Sequence, residues 1–137
     1  MKRICLILII SIATRGFSQS ILNANYSTVG YISDDGTVQD QSHSTIGFIR
    51  KDGSVLNKNY STIGRIRPDG TVENQSYSTL GFIRKDGTVE NRSYSIIGYI
   101  RKDGAIQNAS HSNIGFSRNV NMSWAAAAVF FFFYHLN

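Results

Sequence analysis

The sequence predicts an all-β protein, a ring of β-hairpin repeats that carries a short apolar helix at its C-terminal end. Three observations lead there. A 17-residue pattern recurs from residue 26 to residue 110, and a fixed period of this kind marks a repeat architecture. An Asp-Gly pair stands at the same place in each full copy: Asp35-Gly36, Asp52-Gly53, Asp69-Gly70, Asp86-Gly87 and Asp103-Gly104. Between β-prone runs it is a strong hairpin signal, because tight hairpin turns need positive φ. The third observation is the chain end, where alanines and then phenylalanines follow one another with no polar face.

Residues 1–18 read as a signal peptide: Lys2-Arg3 is the charged start, Ile4 to Ala13 the apolar run, and Gly16-Phe17-Ser18 the small-residue site before Gln19. The run is too short for a bilayer, which needs ~20 apolar residues. An exported protein of the periplasm, cell surface or medium is expected. Cys5, the single cysteine, falls within this leader, so the mature chain would hold no disulfide framework or cysteine metal site. Three of the fourteen basic residues also lie in the leader, leaving eleven against nine acidic ones. That near-neutral balance argues against nucleic acid as a partner.

Residues 19–118 form the repeat domain, with copies starting at Tyr26, His43, Tyr60, Tyr77 and Tyr94 and a partial one at His111. The fourth position is aliphatic (Val29, Ile46, Ile63, Leu80, Ile97, Ile114), and the fifth is always glycine (Gly30, Gly47, Gly64, Gly81, Gly98, Gly115). The seventh is Ile32, Ile49, Ile66, Ile83 and Ile100, then Ser117, and the thirteenth is Val38, Val55, Val72, Val89 and Ile106. Each copy reads as a strand of ~7 residues, the turn, and a strand of ~4. Simple alternation would separate the fourth and seventh positions. A bulge at the glycine would reunite them, so that Ile46 and Ile49 share a core with Val55. The glycine could also serve close approach at a crowded axis.

One hairpin cannot bury its own apolar face, but a series can. The ends favour a closed ring over a linear solenoid. Residues 20–25 match the second half of a repeat, and residues 111–118 the first half. Pairing of these halves would join the first and last hairpins, or create a sixth unit.

Tyr77-Ser78-Thr79-Leu80-Gly81-Phe82-Ile83, followed by Lys85-Asp86-Gly87-Thr88-Val89, and its copies resemble the small secreted bacterial proteins called 5-fold β-flower proteins. The resemblance spans residues 20 to 118. It implies a pseudo-fivefold ring of β-hairpin petals and a bacterial source, and it brings no activity or functional residue with it.

Residues 119–137 are a connector and the apolar C-terminal helix, with Ser123 as a candidate N-cap. A helix from Trp124 to about Leu136 is favoured by Ala125 to Ala128. Apolar all round, it must be buried or meet an apolar partner. It could plug the ring, pack on the same helix of a second copy, or lie in a membrane interface. Trp124, Phe130, Phe131, Phe132 and Phe133 are therefore the candidates for membrane or partner contact.

No catalytic signature emerges. There is no His-Glu-x-x-His, no Gly-x-Ser-x-Gly and no phosphate loop. His43 and His111 replace tyrosine in the repeat, which points to packing rather than metal ligation. The aspartates are explained by the turns, and spread around a ring they would stand too far apart to share calcium. No cofactor, metal or enzymatic activity is expected. Aromatic residues at the first and sixth positions form a ladder suited to filling gaps between petals or to stacking on sugar rings. With the basic residues before the turns, they give Tyr60, Tyr77, Tyr94, Arg84 and Arg101 as candidate contacts for a glycan. The expected function is a non-enzymatic structural or binding module of the cell envelope; the alternative is a membrane-associated or self-assembling component that uses residues 124–137.

Overall fold

A computed structural model describes residues 19–136; the leader and its cleavage site lie outside the described residues. Each repeat yields a five-residue strand, an Asp-Gly turn and a four-residue strand. The five continuous hairpins are β2 (Thr28–Ile32) with β3 (Thr37–Asp40), β4 (Thr45–Ile49) with β5 (Ser54–Asn57), β6 (Thr62–Ile66) with β7 (Thr71–Asn74), β8 (Thr79–Ile83) with β9 (Thr88–Asn91), and β10 (Ile96–Ile100) with β11 (Ala105–Asn108). We call them petals 1 to 5. The half-repeats at the ends are β1 (Ser20–Asn23) and β12 (Asn113–Arg118). They pair antiparallel in the register Ser20↔Arg118 to Asn23↔Gly115 and form petal 6. All twelve strands thus close into one barrel in sequence order. The fivefold count holds for the continuous hairpins; the ring of strand pairs has six members, and no sheet edge stays open.

The Asp-Gly turn is a four-residue turn with its last residue left-handed. In petal 4 the Gly87 N–H donates to the Arg84 carbonyl at 3.0 Å, and Gly87 has φ 93°. A Cβ there would also run into the Ile100 carbonyl of the next petal, whose N–H donates to the Gly87 carbonyl at 2.8 Å. The turn therefore fastens neighbouring petals as well as reversing the chain. The Asp86 carboxylate accepts the Thr88 N–H at 2.9 Å.

This bond holds the Asp86 carboxyl below its usual range, as the corresponding bonds do for Asp35, Asp52 and Asp69. A depressed folded-state pKa gives stability that is present above the unfolded value of about 3.9 and lost as pH falls through the folded one. The melting temperature is thus expected to drop below about pH 4, and changing all four aspartates to asparagine should flatten that drop in a pH-series melt.

The predicted bulge is present in every repeat. In petal 2, β4 slips against β3 so that Val38 faces Gly47 and Gln39 faces Thr45, leaving Ile46 as the extra residue. Ile46 then packs against the cluster that contains fully buried Ile49 and Val55. The close-approach role of the glycine holds too. A Cβ on Gly64 would lie 2.6 Å from the Phe132 ring and 2.5 Å from the Glu73 carbonyl.

The tail fills the ring. Helix α1 spans Met122–Ala127, and a π-helical segment follows over Ala128–Phe132. The start falls earlier than expected: the cap is Asn121, not Ser123, with the Asn121 carboxamide oxygen accepting the Trp124 N–H at 3.1 Å. Ala125, Ala126, Ala127 and Ala128 are fully buried, an alanine rod inside a wall of Ile and Val. The regular helix also stops sooner than Leu136, for a geometric reason. An α-helix advances ~100° per residue, whereas six petals stand ~60° apart. The Phe133 and Tyr134 N–H groups both donate to the Ala128 carbonyl, at 2.9 and 2.8 Å, so the turn widens to five and six residues. Successive side chains then meet successive petals. Phe130 sits on Gly98, Phe131 on Gly81, Phe132 on Gly64, Phe133 on Gly47, Tyr134 on Gly30 and Leu136 on Gly115.

Candidate binding surface: stacked rings on the outer wall

The second turn of each petal presents the first-position residue. In petal 4 the Tyr94 N–H donates to the Asn91 carbonyl at 3.0 Å, and the Asn91 side chain accepts the N–H groups of Ser93 and Ser95 at 2.9 and 3.0 Å. This reproduces the Asp-Gly turn with an aromatic residue in the left-handed position. Tyr26, His43, Tyr60, Tyr77, Tyr94 and His111 all have φ between 65° and 68°. The recurring Asn or Asp that makes the side-chain bonds (Asn23, Asp40, Asn57, Asn74, Asn91, Asn108) is the sequence signal for this turn.

Each first-position ring lies over the sixth-position side chain of the preceding repeat, on the other strand of the petal whose second turn presents it. Tyr60 stacks on Phe48 at a centroid distance of 4.7 Å, Tyr94 on Phe82 at 4.8 Å and Tyr26 on Phe116 at 4.5 Å. His43 stacks on Tyr31 at 4.2 Å and His111 on Tyr99 at 4.4 Å. In petal 3 the aromatic floor is replaced: the Arg65 guanidinium lies 3.9 Å from the centre of the Tyr77 ring. The six pairs pin each second turn to the outside of its own petal. They do not fill the core, for the four tyrosines are 62% to 66% exposed.

The candidate glycan residues Tyr60, Tyr77 and Tyr94 thus belong to one sixfold set, to which Tyr26, His43 and His111 must be added on the same repeat position. The candidate arginines stand beside these stacks. Arg84 lies 5.0 Å from the Phe82 ring and Arg101 5.6 Å from the Tyr99 ring. Arg84 is also paired with Glu90 at 2.7 Å. Phe130 to Phe133 are drawn away from this surface, onto the glycines. Trp124 is half-buried against the core. His43 and His111 serve as stacked rings, and no group of three or more His, Cys, Asp or Glu among the described residues is placed to hold a metal ion. No helix among the described residues is long and apolar enough to cross a membrane.

Fold and surface together define a closed antiparallel ring of hairpin repeats with an internal plug and an outer belt of paired rings. The sequence profile of the 5-fold beta-flower proteins matches residues 18–135, and the chain belongs to that family. Comparison with curated proteins and with solved structures gave no match.

Proposed function

We propose that the protein is an exported, non-enzymatic module that binds polysaccharide through its belt of exposed rings. The observation that carries this reading is that all six first positions of the repeat are left-handed and all six carry an aromatic side chain. A left-handed residue with a Cβ costs ~1–2 kcal/mol, and glycine or asparagine would lessen that cost. An offset stack returns ~0.5–1.5 kcal/mol. The two nearly cancel, so stability gives little reason to prefer tyrosine. What the aromatic adds is a rigid ring with one face held by the petal and the other turned to solvent. The C–H face of a sugar packs on such a surface. Six weak contacts around one ring would combine on a repetitive polymer.

The use of residues 124–137 for membrane or partner contact has no comparable support, because Phe130 to Phe133 are seated on the glycines of their own barrel and Trp124 packs against its core. Export rests on the leader sequence.

The test is affinity electrophoresis through gels that contain one polysaccharide each. The protein is expected to be retarded by at least one. Combining Tyr60→Asn, Tyr77→Asn and Tyr94→Asn should abolish retardation while the melting temperature stays within a few degrees, since asparagine tolerates positive φ. Free migration of the wild-type chain through every gel would refute the reading.

A further inference from the structure

The repeats are alike in backbone and unlike in charge. In petals 3 and 4 the arginine before the turn is held by a glutamate on the paired strand: Arg67 Nε lies 2.8 Å from Glu73, and Arg84 Nη2 2.7 Å from Glu90. In petals 5 and 6 that glutamate position is Gln107 and Leu22. No carboxylate among the described residues pairs with Arg101 or Arg118.

These two arginines lie on neighbouring petals, and a groove of about 660 Å³ opens between them. Lys85 and Lys102 complete its cationic wall, and Ile100, Val120 and Met122 supply apolar lining. Asp86 and Asp103 also line it, but their carboxylates accept backbone N–H groups of Thr88 and Ala105 at 2.9 and 3.0 Å. Four cations therefore face two carboxylates already engaged. The position is special in the topology as well. Petal 6 has no connecting turn, because the chain leaves β12 there and crosses to the axis. The Arg101 guanidinium also lies 5.6 Å from the centre of the Tyr99 ring, which stacks on His111, so one wall residue of the groove adjoins one column of the aromatic belt.

We infer that this groove takes a carboxylate or sulfate group of an acidic polysaccharide whose sugar rings lie on the adjoining belt. The inference rests on the polysaccharide reading and gives it a substrate class. Unpaired guanidinium and ammonium groups bind oxyanions through charge-assisted hydrogen bonds. Petals 3 and 4 could not do the same, because their arginines already hold a glutamate.

The experiment compares polygalacturonate and dextran sulfate with their uncharged counterparts, methyl-esterified polygalacturonate and dextran, at low salt. The wild-type protein should bind an acidic polymer at least tenfold more tightly than its neutral counterpart, and added salt should erase the difference. Combined Lys85→Gln, Arg101→Gln and Lys102→Gln should remove that preference. Combined Arg50→Gln, Lys51→Gln and Lys58→Gln, an equal loss of charge elsewhere on the ring, should leave it in place. Equal losses from both variants would mean diffuse attraction and overturn the inference. Binding to neutral polymers without acidic preference would overturn it too, while leaving the polysaccharide reading intact. No binding to any of the four, together with free migration in the gel screen, would end both. Free galacturonate or inorganic sulfate competing as well as the polymers would show an anion site detached from the belt, and would likewise overturn it.

Discussion

A chain truncated after Asn121 is expected not to fold. The ring's inward wall contains Ile21, Ile32, Ile49, Ile106, Val38, Val55, Val72 and Val89, all essentially inaccessible, and they form one cluster with Ala125 to Ala128. The alanines contribute little apolar area of their own. Their role is to fill the axis at interior density, so that no water reaches the wall. Without them, either a channel wets these side chains or the barrel collapses into another shape. Full burial of such a side chain is worth ~1.5–3 kcal/mol. Losing even ~1 kcal/mol at each of eight sites would consume much of the ~5–15 kcal/mol that holds a domain together. Far-UV circular dichroism and a thermal melt of the truncated protein check this. A cooperative transition near the full-length midpoint would show that the strand ring stands without its plug.

The five continuous hairpins, the bulge and an apolar tail in need of burial were legible in the sequence, because each depends on residue types with narrow conformational uses, whereas the sixth petal and the seat of the tail were left open until the strands were paired. Asp-Gly marks a turn, an invariant glycine marks missing volume, and a helix without a polar face marks burial. Three features were harder to see. Tyrosine and histidine do not advertise positive φ, so the second turn was hidden, although the recurrent Asn or Asp of Asn91 and its equivalents pointed to it. The rings at the first position looked suited to gaps between petals, whereas they stack on the outside. Which cations would be free also depended on register. Only the pairing of Arg65 with Glu73 and of Phe82 with Glu90 shows that the fourteenth position lies beside the sixth, within reach of Arg67 and Arg84. Gln107 and Leu22 then acquire meaning as uncharged residues at the position where Glu73 and Glu90 hold an arginine. The widened tail was obscured by its own regularity. A helix that offers one residue to each petal reads as Phe130-Phe131-Phe132-Phe133, a run with no helical period.

That correspondence between tail and petals gives the second large effect. Gly98→Ala is expected to destabilise the protein by about 3 kcal/mol, at the upper end of overpacking costs. The new Cβ would overlap the Phe130 ring and stand 2.6 Å from the Gln107 carbonyl oxygen. The ring can move aside, but the carbonyl belongs to β11 and is fixed by the ladder, so relief must be incomplete. Phe130→Ala alone should cost about 2 kcal/mol, below the ~3–5 typical of a fully buried ring, because Phe130 is only half-buried. If one aromatic ring is matched to one glycine, the double variant should be less destabilised than the sum of the two by about 1 kcal/mol or more. It should still fall short of Phe130→Ala alone, because of the clash with Gln107. Pairing Gly98→Ala with Phe132→Ala instead should show no such coupling, since Phe132 serves Gly64. Urea midpoints of these proteins decide the matter. Additivity within ~0.5 kcal/mol in both cycles would mean that the tail packs as a general apolar plug, without a register set by the petals.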